Sequence, residues 1–467
     1  MKKLTSIVAT IGPATETEEI IKELIDAGMN VARFNTKHGT PEWHQERIAR
    51  VRKVAGEMGV SVGVLLDLQG PEIRINLPGE KGFEMKEGEE AIFSSDEKKD
   101  AKNLILIPQN VVDTLHEGNL VLLDDGLCEF EIIKKDETQL VAKALGDFPV
   151  SHRKTMNTPG VTIDMPSLIE ADLTQLDGLA EVGIDFVGLS FVRDKNDIDI
   201  LKQELAKRKM NADVVAKIEN QAALDNIDEI IECSDAIMVA RGDLAVEVPF
   251  EQLSFWQKLI ITKCRFVGKP VITATQMLKS MVDHPRPTRA EVSDVANAVY
   301  DSTSAVMLSE ETTIGKFPVK AVATQAKIAA FNEKYVETNI EDWIDASDDA
   351  SITHAAVYML EHREQDIDAI ICLTETGNTA KLLSRFRPKV PVYAVTSSRD
   401  TYNKLSVVFG IEPHIVTLPA EQLAAPQELV KELTSQGVLQ SGKNILLIYG
   451  SVWAKSGLTN SLSLVKA

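Results

Sequence analysis

Short runs of β-branched and aliphatic residues punctuate the chain, and a stretch with helical spacing of apolar residues follows each one. The strand candidates are TSIVATIG (5–12), NVARFN (30–35), VGVLLDL (62–68), FVGLSFV (186–192), DVVAKIEN (213–220), AIMVARGDL (236–244), PVITATQM (270–277) and SAVMLSEE (304–311). They are continuous rather than alternating, the pattern of strands buried on both faces of a parallel sheet. The helices between them have legible ends. Thr15 and Glu18 suggest a capping box for EEIIKELIDAG, in which Ile20, Ile21, Leu24 and Ile25 share a face and Gly28 closes the helix. Thr288 and Glu291 repeat the device after Pro285 and Pro287. Eight strand-plus-helix units predict an α/β fold of the closed (β/α)8 TIM-barrel type.

The third unit is interrupted. GEEAIFSS, LVLLDDGLCEFEII and TQLVAKAL, separated by the turn signals HEGN and KKDE, read as short strands with no long helix among them. Residues 73–158 are therefore expected to form a small inserted β-barrel, a lid over the barrel built from 1–72 and 159–340. A further α/β domain is expected over 341–467, where AIICLTETG, VPVYAVTSS, HIVTL and NILLIYG alternate with AAVYMLEHR and APQELVKELTSQG. The charge run EDWIDASDD reads as a solvated linker before it.

Length fits this division, since 467 residues correspond to two to four domains. A net charge of −20 opposes general nucleic-acid binding, so any anionic ligand needs a local cluster of Arg and Lys or a metal. Cys128, Cys233, Cys264 and Cys372 have no metal spacing and read as free thiols. MKKLTSIVATIG lacks the apolar length and cleavage site of a signal peptide, and no run approaches a membrane span. The expectation is a cytoplasmic protein.

In a (β/α)8 barrel, chemistry gathers at the C-terminal ends of the strands. Read in order, those ends offer Arg33, Asn35 and Lys37, then Asp67, Glu72 and Arg74, then Ser190 and Arg193. Lys217 and Glu219, Arg241 and Asp243, Thr275, and Ser309 and Glu311 complete the rim. Glu219 and Asp243 are the natural metal pair, two hard oxygen ligands that leave positions for water and a substrate phosphate, as Mg²⁺ prefers. Lys217 shares a strand face with Glu219, which sets an ammonium beside a metal-bound anion, the arrangement phosphoryl transfer needs. Arg33 and Arg74 add donors for phosphate. Any one of these charges alone is more simply a solvated residue, and Asp67 alone could cap a helix. The case rests on their joint occurrence on successive units.

These residues lie in motifs that identify a family. TIGPAT, MNVARFN with HG, LDLQGPEIR, LLDDGL, SFVR, AKIEN, IMVARGDLAVEVP, ITATQML, PRPTRAEVSDVANAV, VMLSEET and GLTN run in one order along the chain. So arranged, the sequence resembles the pyruvate kinases over essentially its whole length. The resemblance implies Mg²⁺-dependent (or Mn²⁺-dependent) transfer of the phosphoryl group of phosphoenolpyruvate to ADP, giving pyruvate and ATP. It implies Glu219 and Asp243 at the metal, Lys217 stabilising the phosphoryl in flight and Arg33 on the substrate phosphate. Ser190, Gly242 and Asp243 would line the substrate, and Thr275 would lie near the carbon that the enolate protonates. Asn35, His38 and Arg74 would face the nucleotide phosphates, and Asp164 would do so through metal. The inserted domain would close over the site. The family is usually homotetrameric, with a regulatory C-terminal domain. There TETGNTA resembles the loop that holds a sugar-phosphate or nucleotide effector, through Thr374, Thr376, Gly377, Asn378 and Thr379, while Glu375 would repel a dianion if it points inward.

Several positions depart from the family pattern. A serine is usual where Lys37 stands, and with Asn35, Asp67 and the carbonyl at Leu68 it resembles the site of a required K⁺. Leu68-Gln69 replaces the usual Thr-Lys, as in members that dispense with K⁺, yet Glu72 is kept where those members usually carry lysine. The expectation is that the ammonium of Lys37 occupies the monovalent-cation site, with Glu72, Asp67 and Asn35 as acceptors and no K⁺ requirement. Asp177, Ser302, Ser304 and Glu310 also depart, with consequences for nucleotide binding. Competing functions are a Mg²⁺-dependent aldolase or lyase acting on pyruvate enolate, which would need neither Lys217 nor Arg33, and a non-catalytic sensor that binds an effector without turnover.

Overall fold

The computed structural model describes residues 3–99, 101–336, 347–363, 366–416, 426–450 and 459–467. Eight parallel strands close a barrel: Ser6–Thr10, Val31–Asn35, Gly63–Asp67, Phe186–Leu189, Asp213–Ile218, Ala236–Ala240, Val271–Ala274 and Ala305–Leu308. Closure runs through the register Ser6↔Ala305 to Ala9↔Leu308. The strands end earlier than the apolar runs suggest. RGDL leaves the sheet at once and forms the helix Arg241–Glu247, and Glu310–Thr313 is likewise helical. Thr288 and Glu291 form the expected capping box. The first helix differs: it spans Glu18–Ala27 and its cap is Thr17, whose side chain accepts from the Ile20 N–H. Thr15 is buried and instead donates to the Thr312 carbonyl at 2.9 Å, tying the first strand's loop to the last. Gly28 closes the helix at φ 117°.

Alternation within each strand builds the site. Val8, Val31, Leu65, Val215, Met238, Ile272 and Met307 form one apolar cluster inside the barrel, while Ala32, Phe34, Val64 and Leu66 pack outward against the helices. Successive side chains on a strand face opposite ways, so two residues past the inner layer the chain faces inward again. Those positions are Thr10, Arg33, Asp67 and Lys217. The apolar layer is therefore the floor of the polar site.

Between Phe83 and Asn157 the chain forms a six-stranded sheet and a separate antiparallel pair, Phe83–Met85 with Phe148–Val150. Both pack around one core that contains Phe93, Phe130 and Phe148. The two edge strands of the sheet, Leu104–Leu106 and Met156–Asn157, are bridged by residues 73–76: the Asn76 N–H donates to the Leu106 carbonyl at 3.0 Å and the Met156 N–H to the Ile73 carbonyl at 2.9 Å. One short helix, Gln109–Thr114, interrupts it.

The C-terminal domain has a sheet ordered Ile411–Ile415, Val392–Thr396, Ala369–Leu373, Asn444–Gly450 and Thr459–Lys466, the last strand antiparallel. It seals the barrel's N-terminal end. Ser6 Oγ donates to the Ser406 carbonyl at 2.8 Å, and the Gly410 N–H donates to the Leu4 carbonyl at 2.9 Å. Residues 341–346 of the EDWIDASDD run, and part of GLTN, lie outside the described residues; Ser347 caps the helix Asp348–His362. Among the described residues no helix is long and apolar enough to cross a membrane.

Candidate active site

Lys217 is the centre of the polar layer. Its ammonium lies 2.8 Å from Glu219 Oε1 and 3.2 Å from Asp67 Oδ1, and it donates to Ser190 Oγ at 2.6 Å. Ser190 Oγ in turn donates a hydrogen bond to the Leu68 carbonyl at 2.7 Å. Burial alone would favour neutral lysine, but the carboxylates of Asp67, Glu219 and Asp243 outweigh it, so the group is held protonated more firmly than usual. Arg33 sits beside it, donating to Asp67 Oδ2 at 2.7 Å and to Thr10 Oγ1 at 2.9 Å. Burial would raise the Asp67 carboxyl, and Lys217 followed by Arg33 holds it below its ordinary value. Two buried cations thus face the interior with their counter-charges fixed behind them.

The same layer is short of positive charge at one point. Glu219 is buried and accepts from the Phe191 N–H at 2.7 Å through Oε2, while its Oε1 has the ammonium contact but no well-directed donor. Asp67 Oδ1 is in the same condition. Burial, and next the Glu219 carboxylate, push the Asp243 carboxyl up to about 7. A buried carboxyl pushed up by a neighbouring carboxylate, which itself has an unfilled lone pair, fits a hard divalent cation. Among the described residues no group of three or more His, Cys, Asp or Glu is arranged for a metal, so substrate and water would complete the shell.

Thr275 meets this layer from the seventh strand. Its Oγ1 accepts from the Gly242 N–H at 2.8 Å and donates to the Ala274 carbonyl at 2.7 Å. The Lys37 ammonium reaches Glu72 Oε1 at 2.9 Å and also lowers the proton affinity of Asp243. Of its three expected acceptors only Glu72 takes it. Asp67 is engaged by Arg33 and Lys217, and Asn35 Oδ1 accepts instead from the backbone N–H of Lys37 at 3.1 Å. Arg74 lies on the other oxygen of Glu72, with its Nε donating at 2.9 Å. His38 and Asp164 are exposed at the rim. A cavity of about 180 Å³ between barrel and lid is lined by Glu72, Asn157, Phe191, Arg193 and Asp243. Asn157 Nδ2 donates to Glu247 Oε1 at 2.9 Å, joining the lid to the helix that carries Asp243.

Two rim residues do other work. Glu311 accepts from the N–H groups of Ser309 and Leu278, and Arg193 is paired with Asp197. Asp177 pairs with Arg208 at 2.7 Å, and Glu310 with Lys279. The TETGNTA residues lie apart, in the C-terminal domain. Gly377 has φ 84° and its N–H donates to Thr374 Oγ1, Asn378 bonds Asp349, Thr379 bonds Thr459, and Thr376 is exposed. Sequence reasoning missed Asp172, whose buried carboxylate accepts from the N–H groups of Gln69 at 2.9 Å and Gly70 at 3.3 Å and so fixes the loop after Asp67. Its position three residues into a helix reads as capping, and nothing in the sequence points to the loop it holds.

Known proteins match this arrangement over the same span. The family model for the pyruvate kinase barrel domain matches residues 2–322, and that for the pyruvate kinase alpha/beta domain matches 350–465. The chain belongs to the pyruvate kinase family. It is 39% identical to a pyruvate kinase of Bacillus licheniformis, across 98% of this chain and 79% of that protein. It is also 39% identical to one of Geobacillus stearothermophilus, across 98% and 80%. A crystal structure of a pyruvate kinase from Cryptosporidium parvum superposes with a TM-score of 0.93 at 31% identity, covering 100% of this chain and 96% of the other. The chain is thus a pyruvate kinase-type phosphotransferase.

Proposed function

We propose that the chain transfers the phosphoryl group of phosphoenolpyruvate to ADP with Mg²⁺ (or Mn²⁺), forming pyruvate and ATP. The observation that carries this reading is the Lys217 ammonium, held by Asp67, Glu219 and Ser190 beside Arg33 at the open end of the apolar floor. Arg33 and Lys217 bind the substrate phosphate, and Gly242, Ser190 and Asp243 border the rest of the molecule. Glu219 and Asp243 would hold the metal, which supplies neutralising charge to the phosphoryl and enolate oxygens. An oxygen of the ADP β-phosphate attacks phosphorus, and the bond from phosphorus to the enol oxygen breaks. Lys217 compensates the charge on the phosphoryl oxygens in flight. The enolate then takes a proton at its terminal carbon from the side of Thr275, through water. Asn35, His38, Arg74 and Asp164 face the nucleotide, and the lid keeps water from competing with ADP.

Potassium is not needed in this scheme. Lys37 supplies the monovalent charge, held on Glu72 and within electrostatic reach of Asp243. A homotetramer is carried over from the family. The effector reading of Thr374, Thr376, Gly377, Asn378 and Thr379 meets an obstacle in Glu375, whose carboxylate accepts from Ser397 N–H at 3.2 Å and Ser397 Oγ at 2.7 Å. A phosphate dianion at this loop would have to displace it.

The test is pyruvate formation coupled to lactate dehydrogenase, with phosphoenolpyruvate, ADP and Mg²⁺. Turnover that depends on all three and falls at least about 100-fold in Lys217→Met supports the reading. No ATP formation under any metal would sink it.

A further inference from the structure

We infer that Arg241, held by Asp294, is a positioning residue that sets Thr275 for proton delivery, an inference that rests on the reading of Thr275 given above. Thr275 has φ 69° and Gln276 has φ 54°, so two successive non-glycine residues lie in the left-handed region. For a β-branched residue that is a true outlier, and such conformations persist only where the surroundings over-determine them.

Arg241 provides that constraint. Its Nε donates to the Ala274 carbonyl at 3.1 Å and its Nη2 to the Thr275 carbonyl at 2.8 Å. These carbonyls belong to the two peptide planes that flank the Thr275 α-carbon, so one rigid, planar guanidinium fixes both rotations about it. Asp294 fixes the guanidinium in turn, accepting from Nη1 at 2.6 Å and from Nη2 at 2.7 Å, while Gln257 Oε1 accepts from Nη1 at 3.2 Å. The next residue along completes the device, because the Gly242 N–H orients the Thr275 hydroxyl at 2.8 Å. Among the described residues Arg241 makes no hydrogen bond to Arg33, Lys217, Glu219 or Asp243; its bonds go to the Ala274 and Thr275 carbonyls, Met277 Sδ, Gln257 and Asp294. Lysine cannot replace it, since a tetrahedral ammonium has no fork to span two carbonyls and a carboxylate together.

The experiment separates overall turnover from proton transfer, read as exchange of the pyruvate methyl hydrogens with D2O by NMR in the presence of Mg²⁺ and ATP. Arg241→Lys is expected to lower kcat and exchange together, by about 100-fold, with KM for phosphoenolpyruvate and ADP little changed. Added to Thr275→Ala, it should cost nothing further, because the residue it positions is gone. Asp294→Asn, a half-exposed position with little risk to folding, should lower exchange in the same direction by a smaller factor. Losses that multiply in the double variant, or normal exchange in both Arg241→Lys and Asp294→Asn, overturn the inference. Normal exchange in Thr275→Ala would instead overturn the underlying reading of Thr275.

Discussion

Replacing Lys37 by serine removes the charge that the structure places on Glu72. At 2.9 Å and an effective dielectric of about 20, two unit charges attract by about 6 kcal/mol. Much of that is offset by the water both groups give up, and the lysine side chain is still 28% exposed, so solvent screens it further. The net worth of a hydrogen bond to a charged group, about 2 kcal/mol, is the better figure. Glu72 responds accordingly. Burial would raise its carboxyl, but Lys37 first and Arg74 second bring it below the ordinary value, so without Lys37 a buried carboxylate is left with one cation. If that loss falls on the transition state, activity drops about 30-fold. The assay is coupled turnover in Tris with NaCl or KCl as the only added salt. The parent enzyme is expected to run at the same rate in both. Lys37→Ser should be slow in NaCl and recover most of its rate in KCl, because K⁺ carries the same charge and binds oxygen at similar distances. A parent enzyme that needs K⁺, or a serine variant at full speed in NaCl, would refute the reasoning.

Further outcomes follow from the same geometry. Lys217→Met leaves Asp67 and Glu219 buried beside one another, so besides losing activity it should lower stability by about 3 kcal/mol, read by urea unfolding; an unchanged midpoint would show that water reaches the pair. The raised Asp243 carboxyl must lose its proton to bind metal, so the apparent Kd for Mg²⁺ or Mn²⁺ should be flat above about pH 7 and rise toward about tenfold per pH unit below it, read by calorimetry. Without metal the sign reverses for folding, because a raised carboxyl favours the native state at low pH, and that contribution is lost as pH climbs through the native value. Gly63→Ala would put a Cβ 2.3 Å from Ser406 Oγ and 2.9 Å from Phe186 at the barrel's sealed end, costing about 1–3 kcal/mol with kcat little changed. Equal melting temperatures would mean the C-terminal domain is held elsewhere.

Much of this molecule is legible without coordinates because its strands are buried on both faces. Such strands must be continuous apolar runs, so eight of them in order specify the barrel, and the charges that end each run mark where the chain leaves the apolar floor. That is why Arg33, Lys217, Glu219 and Asp243 stand out as strand-end candidates by their places, while the role expected of Thr275 comes from the family resemblance. The last strand, Thr459–Lys466, pairs antiparallel at a sheet edge and mixes Asn, Ser and Lys with its Leu, so no apolar run announces it. What only the tertiary structure decides is pairing. The Lys37 ammonium had three eligible acceptors; Asp67 is engaged by Arg33 and Lys217, Asn35 Oδ1 takes the Lys37 backbone N–H, and the ammonium meets Glu72. Arg241 reads as one more rim cation until the turn after Ala274 brings two carbonyls within reach of its guanidinium. Side-chain type sets what a group can bond to, and strand spacing sets which way it faces. Which partner it meets depends on every other group competing for that partner, a condition that exists only once the barrel has closed.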